Sequence, residues 1–281
     1  MNPACKVVRL CQLARMTPQN YYARRMVRRR AEVDLELVLE LVRVERQQQA
    51  RLGVRKVYHL IASELKAAGV KIGRDRLFFE LKKAGLLVAR KPSQWPKTTN
   101  FDPSLPFFKN RIRHRKLWGP NQVWVADITY IRTRKQFLYL ALITDKWSRK
   151  IVGFHLGDTL ESSEALKALG MALRTLQASE LPIHHSDRGC QYASHVYVKR
   201  VQRAGLQMSM TEKNHSAENA VAERVNGILK QEYWLDANFE NALQARQATL
   251  GGIHLYNHRR PHTALGMATP QQRHRANRSS A

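Results

Sequence analysis

The chain has little cysteine, no long apolar run and a shortage of acid, and each lack removes a class of protein. Its 281 residues hold three cysteines, Cys5, Cys11 and Cys190. Three cannot staple a disulfide scaffold. Without any CxxC or paired CxxC/HxxxH spacing they do not suggest structural zinc either, so all three read as reduced thiols. No apolar stretch approaches the ~18 residues that cross a bilayer. The first residues carry Lys6 and Arg9 but no apolar segment with a small-residue cleavage site, so the expectation is a soluble, cytoplasmic protein with no membrane partner. Acidic side chains number 22 against 48 lysines and arginines, a formal charge of +26. Such an excess repels itself in a compact chain unless a polyanion is the normal partner, which puts nucleic acid first and an anionic membrane surface second.

With 43% hydrophobic residues, the chain can bury a core and hold one large domain or two to three small ones. Residues 1–116 carry 27 basic and 9 acidic side chains, and residues 117–281 carry 21 and 13, so the front is the more basic part. It reads as all-α. VVRLCQLA (7–14), a break at Met16-Thr17-Pro18 and then QNYYARR predict helix, turn, helix, with Pro18 at the first helical position. Arg24, Arg25, Arg28, Arg29 and Arg30 follow, and VDLELVLELVRVERQ (33–47) predicts a long amphipathic helix. Residues 49–89 form a second helix-turn-helix-like module after the region 1–48, with Gly69 and Gly73 bracketing its turn and Gly85 ending its second helix. Such pairs place the second helix in the major groove of DNA, or serve as plain packing units. On the DNA reading, Arg74 and Arg76 at the start of that helix are contacts.

Residues 90–120 change character, with five prolines and the basic cluster Arg111, Arg113, His114, Arg115 and Lys116. They predict an extended linker lying on phosphates, the alternative being a mere spacer. From 121 the pattern turns to strands. NQVWVADITYI is apolar on both faces, as in a strand covered on both sides, and FLYLALITD and KIVGFHL follow closely as in an antiparallel meander. The predicted order is βββαβαβα, an α/β core over 121–240, with a C-terminal helix and basic tail over 241–281.

Asp127 falls mid-strand among Val, Ala and Ile, where an ionised carboxylate is costly unless paired or bound to a metal. Asp187 follows the fourth strand, in a turn freed by Gly189. The stretch ENAVAERVNGILKQEY (218–233) predicts a helix with two stripes. Val221, Val225, Ile228 and Leu229 face a core, while Glu223, Asn226, Gly227 and Lys230 lie nearly opposite. Singly, Asp145 and Asp187 read as turn formers and Glu223 as a first-turn acid. Together, Asp127, Asp187 and Glu223 make an oxygen-rich site for two Mg²⁺ or Mn²⁺ ions, able to activate water or a 3′-hydroxyl at a phosphodiester. The polar stripe then faces metal and DNA, with Lys230 on a phosphate. His184 and His185 near Asp187 read as packed or hydrogen-bonded first and as DNA contacts second. Tyr192 and Trp124 read as walls of the site first and base-stacking partners second.

The phrases NQVWVADITYI, HSDRGCQY and ENAVAERVNGILKQE, the 35 residues between Asp187 and Glu223, and YNHRRPHTALGMATP resemble the DDE transposases of the insertion sequence 3 family. The likeness spans almost the whole chain, including the helical module before the core. It implies a ribonuclease-H-like, integrase-type catalytic core, Asp127, Asp187 and Glu223 as metal ligands, and Lys230 in DNA contact. Arg224, Asn226, Arg259 and Arg260 join the expected DNA-binding set. The implied activity cuts one strand and joins the new 3′-OH, acting on terminal inverted repeats and target DNA as a homo-oligomer in the bacterial nucleoid, without a small-molecule substrate. In many relatives an upstream frame is fused in and supplies a further helix-turn-helix. Departures from the family pattern lie at Glu218, where an Asp is common, and at His215. The competing readings are a nuclease or resolvase without strand transfer and a catalytically inert DNA-binding regulator.

Overall fold

The computed structural model describes residues 3–89, 105–212 and 218–276. His215 and the linker residues 90–104 lie outside the described residues. Two compact units emerge, one of residues 1–48 and 53–87 and the other of 49–52 and 88–281.

The first unit is all helical: α1 (Pro3–Leu13), α2 (Pro18–Gln48), α3 (Val54–Leu60), α4 (Ala62–Ala67) and α5 (Arg74–Lys83). Val38, Val42, Val57, Ile61, Leu65, Leu77 and Leu81 are its buried apolar residues. α2 runs unbroken where the sequence suggested two helices, because no Gly or Pro interrupts residues 19–48. Gly69 and Gly85 take positive φ just past α4 and α5. There Val70 N–H reaches Leu65 O at 2.9 Å and Leu86 N–H reaches Leu81 O at 2.8 Å, the Schellman closure that frees the chain to turn.

The second unit is built on one sheet: β1 (Val123–Thr133), β2 (Phe137–Asp145), β3 (Ile151–Gly157), β4 (Ile183–Ser186), β5 (Gln207–Met210) and β6 (Asn238–Phe239). The order is β3-β2-β1-β4-β5, with β6 on the far end of β1. β1, β2 and β3 form the antiparallel meander; β4 and β5 join in parallel. Helices α6 (Ser162–Leu173), α7 (Cys190–Ala193) and α8 (His195–Arg203) pack on one face, around Trp124, Ala126, Ile143, Leu169, Tyr197 and Val201. α9 (Ala220–Glu232) and α10 (Ala242–His258) cover the other, around Ile131, Leu140, Leu142, Val225, Ile228, Leu229 and Tyr256. A short α11 (Pro270–Ala276) closes the described chain. Two-sided cover explains why β1 lacks alternation: a strand with apolar neighbours above and below has no wet face. Gly153 lets α6 lie close on β3, since a Cβ there would come within 2.8 Å of the Ala172 Cβ. An α/β core of the ribonuclease-H-like type thus follows a helical N-terminal region.

Residues 105–120 are not a free-standing linker. Ile112 is buried, Asn110 N–H donates to Glu212 at 2.9 Å, and Arg111 N–H donates to Ser209 Oγ at 2.9 Å. The segment straps the β5 end of the sheet, because its backbone donors find acceptors there.

Candidate active site

Strand register builds the site. The last β1–β4 pair is Val125 with His185. Two residues further along each parallel strand come Asp127 and Asp187, so the same register that pairs the strands carries both carboxylates to one end of the sheet, on one face. A cleft opens there, walled by Asp127, Tyr130, Leu160, Asp187, Gly189, Gln191 and Tyr192.

Each carboxylate is oriented by a fixed donor. Asp127 Oδ1 accepts from Ile128 N–H at 3.0 Å, and Oδ2 accepts from Asn226 Nδ2 at 2.7 Å. Asp187 Oδ1 accepts from Gly189 N–H at 3.0 Å, and a Cβ at Gly189 would press on that oxygen. Burial pushes the Asp127 pKa up to about 7, and the negative charges of Asp187 and, more weakly, Glu223 push the same way. The Asn226 and Ile128 hydrogen bonds pull it down, without prevailing. An acid raised first by burial and then by neighbouring carboxylates is the kind of group that a positive partner would stabilise. Oxygen donors of this kind fit a hard divalent cation.

Of the three predicted ligands, the structure gathers two in the cleft wall. Glu223 sits exposed in the first turn of α9, within electrostatic reach of Asp127 but outside that wall. No group of three acidic, His or Cys side chains stands at metal-holding distance among the described residues.

Three expected DNA contacts lie in the interior. Lys230 is 4% exposed, with its ammonium 4.1 Å from the Tyr130 ring centroid. Burial lowers its pKa to about 8, while Asp127 and Asp236 resist the change. The Tyr130 ring therefore covers the head group that helical spacing had directed toward metal and DNA. Asn226, 6% exposed, clamps Asp127. Arg260 is 2% exposed and forks onto Glu232 at the end of α9, Nε to Oε2 at 2.7 Å and Nη2 to Oε1 at 2.8 Å. Burial pulls the Arg260 pKa down, but the hydrogen bond and charge of Glu232 overcome it and leave it raised.

The other expected contacts divide. Arg113 is engaged by Glu218 and Glu212, and Arg74 by Asp75 at 2.8 Å. Arg76, Arg111, Arg115, Lys116, Arg224 and Arg259 are exposed. His184 and His185 are fully buried, bonded to Tyr197 Oη at 2.8 Å and Ser209 Oγ at 2.9 Å. Trp124 is core, its indole N–H on Asn121, whereas Tyr192 does wall the cleft. Asp145 acts as the turn former the sequence allowed, accepting from Asn121 N–H and Ser148 N–H at 2.7 Å each and from Ser148 Oγ–H at 2.6 Å.

The YNHRRPH segment had no derivable role in the sequence and has one here. Tyr256 Oη–H donates to Arg149 O at 2.9 Å, and Asn257 brackets Ile151, donating to its carbonyl and accepting from its N–H at 3.0 Å each. Together with Arg260 they tie α10 to β3 and to the end of α9. The repeated polar residues in the last turn of a helix were the available signal.

Two models described as integrase core domain match residues 119–216 and 204–270. The transposase for insertion sequence element IS629 of Shigella sonnei is 32% identical over 277 residues, covering 95% of this chain and 90% of that protein. Transposase InsF for insertion sequence IS3A of Escherichia coli K12 is 31% identical over 214 residues, covering 75% and 74%. A chain of the simian T-cell lymphotropic virus intasome, solved in complex with PP2A regulatory subunit B56 gamma, is 19% identical with a TM-score of 0.50, over 80% of this chain and 75% of that one, and shares the fold. With a relative above 30% identity along nearly its full length and an integrase core from 119 to 270, the chain belongs to the insertion-sequence transposases of the IS3 family.

Proposed function

We propose that this transposase cuts DNA at the ends of its insertion sequence and joins the exposed 3′-OH to DNA, using Asp127, Asp187 and Glu223. The observation that carries the reading is the register match that sets Asp127 and Asp187 side by side in one cleft, with Asn226 of α9 bonded to Asp127. Asp127, Asp187 and Glu223 would hold Mg²⁺ or Mn²⁺, which would supply activation of the attacking oxygen and stabilisation of the leaving one. The chain's own part is orientation. Asn226 and the Ile128 amide fix the Asp127 carboxylate, and the Gly189 amide fixes Asp187. α9 carries Glu223 one turn before Asn226 on the same side of the helix, so the helix that clamps Asp127 also brings the third acid within electrostatic reach of it. No protein–DNA covalent bond is formed.

DNA is held by surface cations. Arg111, Arg115 and Lys116 of the strap, Arg224 and Arg259 of the core, and Arg74 and Arg76 of α5 in the helical unit form the proposed contact set, with residues 49–89 as the element-end reader. Working copies assemble as a homo-oligomer on DNA in the bacterial cytoplasm.

Labelled terminal-repeat DNA incubated with Mg²⁺ tests this. Wild type is expected to cut and to join, and Asp187→Asn to bind with unchanged affinity while losing both reactions. Cutting without joining would make the chain a nuclease, binding alone would make it a regulator, and joining by Asp187→Asn at the wild-type rate would remove Asp187 from the chemistry.

A further inference from the structure

We infer that α8 carries a second phosphate-binding track, continuous with the cleft, that holds the DNA duplex flanking the scissile bond. Lys199, Arg200 and Arg203 are exposed and, with Val196, fall at i, i+3, i+4 and i+7 on one face of the helix. Among the described residues none of the three cations makes an ion pair. They line a groove with His195, Val196 and Leu166 of α6, and no carboxylate lines it. A cation at a helix C-terminus can be explained by the helix dipole, which accounts for Arg203. It does not account for Lys199 in the middle turn, or for a nine-residue helix without a single acid.

The place of the groove gives it direction. Gln191 and Leu160 are on the cleft wall and are bonded to one another, Gln191 Nε2 to Leu160 O at 3.0 Å. His195 opens α8 directly after the Ser194 N-cap that follows α7, and Leu166 lies in α6, which begins just after Leu160, so the two helices that line the groove both leave from the cleft wall. α8 then runs about 13 Å at 1.5 Å per residue, which matches about four base pairs of duplex at 3.4 Å each. Val196 and Leu166 give the groove an apolar floor, against which sugar edges can rest while the three cations reach phosphates. The inference rests on the reading of the cleft as the DNA-cutting site.

The test uses the full chain in EDTA, where binding is measured without reaction, and two labelled duplexes: one ending at the terminal repeat and one extended into flanking sequence. The variant is Lys199→Ala/Arg200→Ala/Arg203→Ala, checked for an unchanged melting temperature. On the extended duplex its plot of log Kobs against log salt is expected to be shallower than wild type by about 3, since each phosphate contact contributes about 0.9. On the short duplex the two proteins are expected to agree. Equal slopes on the extended duplex would overturn the inference, as would an equal loss on both duplexes. Unchanged DNA binding with lost self-association would also overturn it, assigning α8 to a protein partner. Loss of slope by the variant alongside a wild type that neither cuts nor joins in Mg²⁺ would sustain the track and sink the catalytic reading instead.

Discussion

Replacing Arg260 with alanine is expected to destabilise the core by about 3–5 kcal/mol, the cost of leaving one member of a buried ion pair without its partner. The size follows from geometry. The guanidinium is 2% exposed and Glu232 16% exposed, and the two are joined by a fork of two short hydrogen bonds. A surface pair would be worth under about 1 kcal/mol, because water screens both groups and flexible side chains lose entropy in pairing. In a unit of this size 1 kcal/mol moves the melting temperature by about 2–4 °C, so the expected drop is about 6–20 °C. Urea unfolding followed by far-UV circular dichroism reads the free energy. Arg260→Met with Glu232→Leu should recover most of it, since an apolar pair of similar volume carries no charge to desolvate. A loss below about 1 kcal/mol in Arg260→Ala, or a double variant as unstable as the single, would refute the argument that the pair is buried and closed. The companion expectation concerns DNA: Arg260→Lys should bind it as wild type does, because this guanidinium points inward.

Asn226→Ala removes a hydrogen bond to a carboxylate, worth about 1.5–3 kcal/mol. Single-turnover cleavage should slow by about 10- to 100-fold while DNA affinity holds, and an unchanged cleavage rate would release Asp127 from its clamp. His184 is buried and neutral, with its pKa lowered by burial, and then by His185, to about 3, below the ~6.5 of an unfolded chain. The unfolded state therefore binds the extra proton, and stability present above pH 6.5 falls with pH, by about 2 kcal/mol from this group at pH 5. Denaturant midpoints across that range should be flatter in His184→Gln, and parallel curves would contradict it. Gly153→Ala places a methyl against Ala168 and Ala172 and should cost about 1–3 kcal/mol as α6 is pushed from the sheet, visible as a lower melting temperature.

Much of the fold was legible because its signals are local. The three meander strands, with apolar runs separated by short polar turns, lie within two residues of where pattern alone set them. Gly69 and Gly85 ended α4 and α5 because only glycine takes positive φ without strain. The sequence reads as two helices, one at QNYYARR and one over 33–47, where the structure has the single α2. Arginine is a good helix former, and nothing between residues 19 and 48 stops propagation. Within the stretch 90–120, which reads as an extended linker lying on phosphates, residues 105–120 dock on the core. Proline fixes φ but does not forbid docking, and the non-proline amides of Asn110 and Arg111 pair with the core.

Helical spacing was right that Glu223, Asn226 and Lys230 share one side of α9, and incomplete about what that side meets. A helix wheel assigns direction but not depth, so it cannot tell a polar stripe facing solvent from one facing polar groups under cover. Here the stripe descends along the helix. Glu223 in the first turn is exposed, Asn226 one turn later is buried against Asp127, and Lys230 a further turn on is buried over Tyr130. Both ends of α9 are held: at the far end Glu232 pairs with Arg260, and at the near end buried Asn219 donates its Nδ2–H to Ala126 O at 3.1 Å. A helix held at both ends sets Asn226 on Asp127 as part of the fold, so the orientation of that carboxylate is fixed by the packing of α9 on β1.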